Sequence, residues 1–271
     1  MRLTVTTWNI NSVRLRISQV GRFLGAARPD VLCLQETKCP DDRMPLKELG
    51  AFGYPHIAHA GQKGYNGVAI LSRFPFAQVD GMRLCGRSDA RHVAVTLGPE
   101  ANGAAGVAIH NFYVPAGGDI PDPALNEKFA HKLDFLAEMR AWGDRDGPAR
   151  APAILVGDLN VAPLEHDVWN HKRLLDIVSH TPVETGALET LRGEAGWVDA
   201  MRAMRPEPEK IYTWWSYRAP DWAATDKGRR LDHIWVSPDL TGTLRSVEAM
   251  RETRGWTQPS DHVPVTAVLE L

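Results

Sequence analysis

The residues able to do chemistry in this chain gather where apolar runs stop. Ala153-Ile154-Leu155-Val156-Gly157-Asp158-Leu159-Asn160 is a short, partly β-branched run bounded by Pro152 and Pro163, and it ends in a glycine, a carboxylate and an amide. That pattern predicts a buried strand opening into a site, with Asp158 and Asn160 on one side because successive side chains alternate. A carboxylate at the end of a core strand is costly unless a metal, a cation or hydrogen-bond donors meet it. Other runs end the same way. Leu3 to Asn11 alternates, placing Asn9 and Asn11 on the face of Leu3, Val5 and Thr7, and Val31 to Gln35 stops at Glu36. Gly106 to Val114 carries Tyr113 near its end. In Arg230 to Val236, Asp232 shares a face with Ile234 and Val236, so this carboxylate needs a partner. Ser260-Asp261-His262 precedes the last strand and offers an imidazole.

Collected, these are Glu36, Asp158, Asp232 and Asp261, the amides Asn9, Asn11 and Asn160, the phenol Tyr113 and His262. Carboxylates and amides are hard oxygen ligands that suit Mg²⁺ or Mn²⁺ and not a thiolate zinc site. Magnesium takes few protein carboxylates and leaves its other positions to water and phosphate oxygens, which points to phosphoryl chemistry. A serine nucleophile elbow, a glycine-rich phosphate loop and a CxxC pair are all absent. Each residue also has a plainer reading. Asn9 and Asn11 suit turns, His262 suits a cap, Asp232 could pair with Arg230, and Tyr113, Trp214 and Trp215 could be core.

The elements that must position them read as α/β. Ile17, Val20, Leu24 and Ala27 recur at helical spacing between the first two strands. Residues 54 to 114 break into short strands at 67–71, 91–97 and 106–114 with turn residues between, which predicts antiparallel pairing. Phe129, Leu133, Leu136 and Met139 predict an amphipathic helix from Asn126 to Trp142 that Gly143 stops, followed by a connecting segment to Pro152. Residues 164 to 204 read as irregular and helical, and the last quarter adds strands at 230–236, 244–250 and 263–269.

The chain has 271 residues, 44% of them hydrophobic, enough to bury a large core. No composition break marks a linker, so one domain over 1–271 is expected. Three cysteines without metal spacing predict reduced thiols in the cytoplasm. Met1 leads straight into a strand, which leaves no room for a signal peptide, and no apolar run reaches membrane-spanning length. A formal charge of −2 does not announce nucleic-acid binding by bulk electrostatics, so a local basic surface or a divalent cation would have to provide it. Arg218, Lys227, Arg229, Arg230, Arg251 and Arg254 are the candidates for that surface.

Trp8-Asn9-Ile10-Asn11, Leu34-Gln35-Glu36-Thr37-Lys38, Gly61 to Leu71, Tyr113-Val114-Pro115, Gly157-Asp158-Leu159-Asn160, Tyr212-Thr213-Trp214-Trp215, Arg230-Leu231-Asp232 and Ser260-Asp261-His262 occur in one order along the chain. In that order they resemble the exonuclease III family of abasic-site endonucleases. The resemblance spans nearly the whole chain and thins between about 165 and 205. It implies a four-layer α/β sandwich, two mixed β-sheets packed face to face with helices outside. It implies Mg²⁺-dependent hydrolysis, with Mn²⁺ as a possible substitute, of the phosphodiester 5′ to an abasic site in duplex DNA. Trimming of blocked 3′ ends and 3′-to-5′ exonuclease action accompany it, and the chain is expected to act as a monomer without a membrane.

The implied roles follow position by position. Glu36 is the principal metal ligand, with Asn11 and Asp261 near the metal. Asp158 orients and deprotonates the attacking water, held by Asn9 and Asn160. His262 contacts the scissile phosphate, Asp232 fixes its tautomer, and Tyr113 hydrogen-bonds the phosphate. Trp214 and Leu231 wall a pocket for the baseless sugar. The chain departs from the pattern at Arg229, where relatives often carry an apolar pocket residue, and at Ala116, where some carry asparagine. Competing readings are another phosphoesterase of the endonuclease/exonuclease/phosphatase superfamily, such as a nonspecific DNase, and an inactive nucleic-acid-binding regulator.

Overall fold

A computed structural model describes residues 1–146, 152–219 and 221–271. The strands are β1 (Arg2–Asn9), β2 (Val31–Gln35), β3 (His56–Ala60), β4 (Val68–Ser72), β5 (Phe76–Asp80), β6 (His92–Leu97), β7 (Ala108–Tyr113), β8 (Ala153–Asp158), β9 (Val198–Asp199), β10 (Asp232–Val236), β11 (Leu244–Ala249) and β12 (Val265–Glu270). They form two six-stranded sheets, β11-β12-β1-β2-β4-β3 and β5-β6-β7-β8-β10-β9. Both are mixed: β1 pairs parallel to β2 and β7 parallel to β8, and the remaining neighbours run antiparallel. The longer helices are α1 (Ile17–Ala27), α2 (Leu46–Ala51), α3 (Glu127–Asp146), α4 (His171–Leu174), α5 (Pro182–Glu194), α6 (Ala200–Met204) and α7 (Trp222–Thr225). None is long and apolar enough to cross a membrane.

The alternation read in the sequence sorts the core into layers. Leu3 and Val5 of β1 and Ile154, Val156, Ile234 and Val236 of β8 and β10 share the central core between the sheets. Trp8 and Leu32, on the opposite pleats, pack with Val20, Phe23 and Leu24 of α1 on the outside of the first sheet. Leu155 and Trp235 pack with Phe135, Leu136 and Met139 of α3 and Leu188 and Leu191 of α5 outside the second. This is the expected helix, sheet, sheet, helix order.

Two expectations need correction. The strands β3 and β5 were not anticipated because both are sheet edges whose side chains are partly or largely exposed, so they lack the apolar run that marks a central strand. The long helix starts as expected, with Asn126 accepting from the Lys128 amide at 3.0 Å, but it continues past Gly143 to Asp146. Gly143 serves helix packing: a Cβ there would lie 2.8 Å from the Cβ of Ala195, just beyond α5. Residues 147–151 of the connecting segment lie outside the described residues.

The sheets are in register at the end that carries the polar groups. Tyr113 pairs with Asp158 across β7 and β8, and Asp158 with Asp232 across β8 and β10, so three neighbouring strands end on one rung. Gly157 allows it. Its φ is +148°, and a Cβ would stand 1.9 Å from the Phe112 carbonyl oxygen.

Candidate active site

Asp158 sits at the centre, 1% exposed. Its Oδ2 accepts from Asn9 Nδ2 at 2.8 Å and from Asn160 Nδ2 at 3.3 Å, and its Oδ1 accepts from the Asn160 amide at 3.0 Å. Asn9 also donates to Glu36 Oε1 at 2.9 Å, so one amide joins the carboxylates of the two sheets. Asn160 is fixed in turn. Its side chain donates to the Val114 carbonyl at 2.8 Å, and its own carbonyl accepts from Lys132 at 2.8 Å. Lys132 is fully buried against Glu184, which caps the first turn of α5.

His262 lies opposite. Its Nδ1 is 2.8 Å from Asp232 Oδ2 and its Nε2 is 3.6 Å from Asp158 Oδ2. Burial alone would lower the imidazole pKa, but Asp232 and then Asp158 outweigh it and raise the value to about 10. His262 is therefore an imidazolium near neutral pH. Burial pushes the Asp158 carboxyl up to about 7, with the His262 charge opposing and Asp232 adding to the rise. The Asp232 carboxylate is aimed by Thr213, whose hydroxyl donates to Oδ2 at 2.6 Å while accepting from the Leu231 and Asp232 amides. Ser260 and Trp8 hold the His262 loop: Ser260 Oγ donates to the Asn9 carbonyl at 2.6 Å, and Trp8 Nε1 to the His262 carbonyl at 3.1 Å.

The third group faces the cleft. Glu36 accepts from the Tyr113 hydroxyl at 2.8 Å and pairs with Lys38 at 2.7 Å. Burial would raise Glu36, but Lys38 and Asn9 outweigh it and hold the carboxyl below its usual range. The Tyr113 phenol is driven well above its ordinary value by burial and by Glu36, so it remains a proton donor. Lys38 also donates to Asn11 Oδ1 at 2.6 Å, and Asn11 Nδ2 donates to Asp261 Oδ1 at 3.0 Å. Glu36, Lys38, Asn11 and Asn160 all have φ near +50°. Non-glycine residues rarely adopt this conformation, and such strain collects at functional sites.

The donor set of Glu36, Asn11 and Asp261 fits a hard divalent cation. A cation, the Lys38 ammonium, already bridges the Glu36 carboxylate and the Asn11 amide oxygen. Asp158, Asp232 and His262 also lie close enough together to suggest a metal triad. A protonated imidazole bonded to Asp232 through Nδ1 cannot ligate there, so this trio reads as a proton-holding unit.

A cleft of about 930 Å³ brings Glu36, Tyr113, Asn160, Asp261 and His262 together with Trp214, Leu231, Arg218, Lys227 and Arg229. Trp214 forms a wall and donates to Asp261 Oδ2 at 2.9 Å, whereas Trp215 is 1% exposed core. Of the residues expected at the site, Glu36, Tyr113, Asn160, Trp214, Leu231, Asp261 and His262 line this cleft, and Asn9, Asn11, Asp158 and Asp232 are joined to them by side-chain hydrogen bonds. The expected basic surface is found only in part. Arg230 is fully buried between Asp167 and Asp199, Arg254 is buried, and Arg251 is paired with Asp226. Arg218, Lys227 and Arg229 remain beside the cleft. Thr213, Lys38 and Lys132 were given no role from sequence. Thr213 and Lys38 stand inside the stretches that carry the resemblance, beside the aromatic and acidic residues that stand out there.

The sequence profile of the Endonuclease/Exonuclease/phosphatase family matches residues 6–262. The chain belongs to that family. Within it, the chain is 29% identical to exodeoxyribonuclease III of Haemophilus influenzae, covering 96% of this chain and 97% of that protein. It superposes on an AP endonuclease from Archaeoglobus fulgidus with a TM-score of 0.90 at 32% identity, covering 99% of this chain and all of the other. A 3′ phosphatase from Neisseria, solved with a product DNA hairpin, gives 0.89 at 33% identity with the same coverage. The family fold therefore includes both sheets and the strand ends that carry the site.

Proposed function

We propose that this chain is a DNA repair hydrolase that cuts the phosphodiester 5′ to an abasic site in duplex DNA, leaving a 3′-hydroxyl, and that also trims 3′ ends. The observation that carries the reading is the rung of Tyr113, Asp158 and Asp232 across three strands, closed by His262 from the other sheet and facing Glu36. The relatives named as exodeoxyribonuclease III and AP endonuclease, and the Neisseria 3′ phosphatase with its DNA hairpin, supply the substrate class.

In this reading Glu36, with Asn11 and Asp261 beside it, holds Mg²⁺, or Mn²⁺ in its place. The ion would supply charge against the phosphoryl oxygens. Asp158, fixed by Asn9 and Asn160, orients a water toward phosphorus and takes its proton. The His262 imidazolium, held by Asp232, donates Nε2–H toward the phosphate, and Tyr113 donates its hydroxyl there. These donors are set before substrate arrives, which is where such electrostatic stabilisation is most effective. The oxygen on the 5′ side leaves as the 3′-hydroxyl of the cut strand. The baseless sugar lies against Trp214 and Leu231, in a pocket with room for a deoxyribose that has swung out of the stack. We further propose that residues 1–271 act as one domain and as a monomer. The three free cysteines, two of them buried, fit a reducing cytoplasm.

The test is incision of a duplex carrying one tetrahydrofuran abasic analogue, with Mg²⁺ and with EDTA, beside an intact duplex and a small phosphomonoester. The expected result is Mg²⁺-dependent nicking immediately 5′ to the analogue. Equal cutting of intact DNA, or hydrolysis of the small ester alone, would place the chain elsewhere in the family.

A further inference from the structure

Arg229 stands where the sugar pocket was expected to be apolar. Its backbone bridges to Trp214, with amide and carbonyl bonds at 3.0 Å in both directions, so its side chain leaves the same ladder as the pocket wall. The guanidinium lies 5.3 Å from the centre of the Trp214 ring and lines the cleft beside Leu231, Val178 and Ser179. Its NH1 donates to the Val178 carbonyl at 2.9 Å and to Ser179 Oγ at 2.7 Å. Those bonds use both NH1 protons. Among the described residues, the side-chain bonds of Arg229 all come from NH1, so its Nε and NH2 protons have no acceptor and no carboxylate pairs with it.

A desolvated cation without a paired anion is unfavourable, and burial lowers the Arg229 pKa against the opposing charge of Glu184, which is not in ion-pair contact. The contrast with its neighbour is direct, because Arg230 spends its donors on Asp167 and Asp199. Arg229 is held rigidly by Ser179 and Val178 and keeps a fork of donors free. A planar guanidinium can do two things at this wall. Its face packs like an aromatic ring, preserving the pocket's shape, while its edge bonds a carboxylate or phosphate in two places.

We propose that Arg229 makes the pocket selective for 3′-terminal fragments that carry an anion, a phosphoglycolate being the simplest, over a neutral baseless sugar. This rests on the hydrolase reading above. In the reaction, water adds to phosphorus and the bond from phosphorus to the 3′ oxygen breaks. That oxygen gains a proton, and 2-phosphoglycolate leaves from a 3′-hydroxyl end. No oxidant or reductant is needed. During the step the carboxylate of the fragment meets the free edge of Arg229.

The same free edge could instead bind a backbone phosphate on the 3′ side of the lesion, and the test separates these sources. Release of phosphoglycolate from a gapped duplex and incision at tetrahydrofuran are measured as kcat/KM for the wild type, Arg229→Leu and Arg229→Lys. The expected result is that the phosphoglycolate-to-tetrahydrofuran ratio falls by about tenfold or more in Arg229→Leu and is partly restored in Arg229→Lys. A ratio within about twofold of wild type overturns the proposal, and so does a larger loss on tetrahydrofuran, which marks a backbone clamp. Should Arg229→Leu not fold, inhibition of the wild type decides. Free 2-phosphoglycolate should inhibit about tenfold more tightly than 2-hydroxyethyl phosphate, and equal inhibition overturns the idea. A wild type that processes neither DNA refutes the hydrolase reading itself, a result distinct from an unchanged ratio.

Discussion

Two clusters of buried charge meet at the start of β10, and they are built to opposite ends. Arg230 and Asp232 are two residues apart. Arg230 turns into a closed network in which Arg230 and Arg202 face Asp167 and Asp199, with Asp167 bonded by Arg230 at 2.7 and 2.8 Å. His233 completes it, near Arg230 through one nitrogen and the Val161 carbonyl through the other. Burial would raise Asp167, but Arg230 outweighs it and holds the carboxyl down near 2. Cations and anions balance, so nothing is left for a ligand to satisfy.

Asp232 turns the other way, into a cluster of Glu36, Asp158, Asp232 and Asp261 in which, among the described residues, the paired cations are Lys38 and His262. Anions are in excess there. Asp232 Oδ1 has no partner, Asp158 is pushed up toward neutrality, and Glu36 and Asp261 border a cleft. A structural network is complete in the free protein, whereas a working site is completed by what it binds.

The largest effect should follow from neutralising the centre of the open cluster. Asp158→Asn keeps the amide contacts of Asn9 and Asn160 within reach but removes the proton acceptor. Single-turnover incision should fall by about 10³- to 10⁴-fold, with DNA affinity within a few-fold of wild type. Turnover that survives within a few-fold means Asp158 is not the base.

The same operation on the closed network should damage the fold and not the chemistry. Arg230→Met leaves Asp199 and half of Asp167 unpaired, at a cost of about 3–5 kcal/mol in denaturant unfolding at neutral pH. Folded protein should still incise near the wild-type rate. The pH sign distinguishes this from simple loss of packing. In the wild type, Asp167 has a folded pKa near 2, below its unfolded value, so its contribution is present above about 4 and fades as pH falls through 2. In Arg230→Met the buried carboxylates shift upward instead, and their protonation stabilises the fold. The deficit should therefore narrow on acidification to about pH 4. A deficit that is constant with pH points to packing alone.

Asp232→Asn sits on the border between the two. It keeps one oxygen for His262 but removes the charge that raises the imidazole pKa. Turnover should drop by about 10²-fold, and NMR of the His262 ring should show it losing its proton at a lower pH than in the wild type. An unshifted imidazole means Asp158 alone holds the charge.

Much of the open cluster was legible because its residues terminate apolar runs, and a run that ends in a carboxylate is conspicuous in a linear sequence. Asn9, Glu36 and Asp158 are of this kind, and Asp232 opens such a run. The closed network was not legible. Arg230 looks like any surface arginine until Asp167 and Asp199 arrive from a region without strong periodicity, and nothing in the chain near Arg230 announces them. Lys132 was hidden for the same reason, on a helix whose period explains only its apolar residues. The edge strands β3 and β5 escaped because partial exposure removes the alternation by which strands are read.

The smallest expected effect is at the wall that joins the open cluster to its ligand. Trp214 is bound to Asp261 through Nε1 and presents its ring to the cleft beside Leu231, so it could serve either the acids or the sugar. Trp214→Ala removes both, and Trp214→Phe removes only the bond to Asp261. If the ring shapes the pocket, Trp214→Ala should reduce incision at tetrahydrofuran about tenfold more than exonuclease cleavage of ordinary 3′ ends, and Trp214→Phe should recover that difference. If the bond matters more, both variants should lose the two activities in parallel, because Asp261 serves every substrate. That parallel loss would assign Trp214 to the charge cluster and leave Leu231 and Arg229 as the residues that read the lesion.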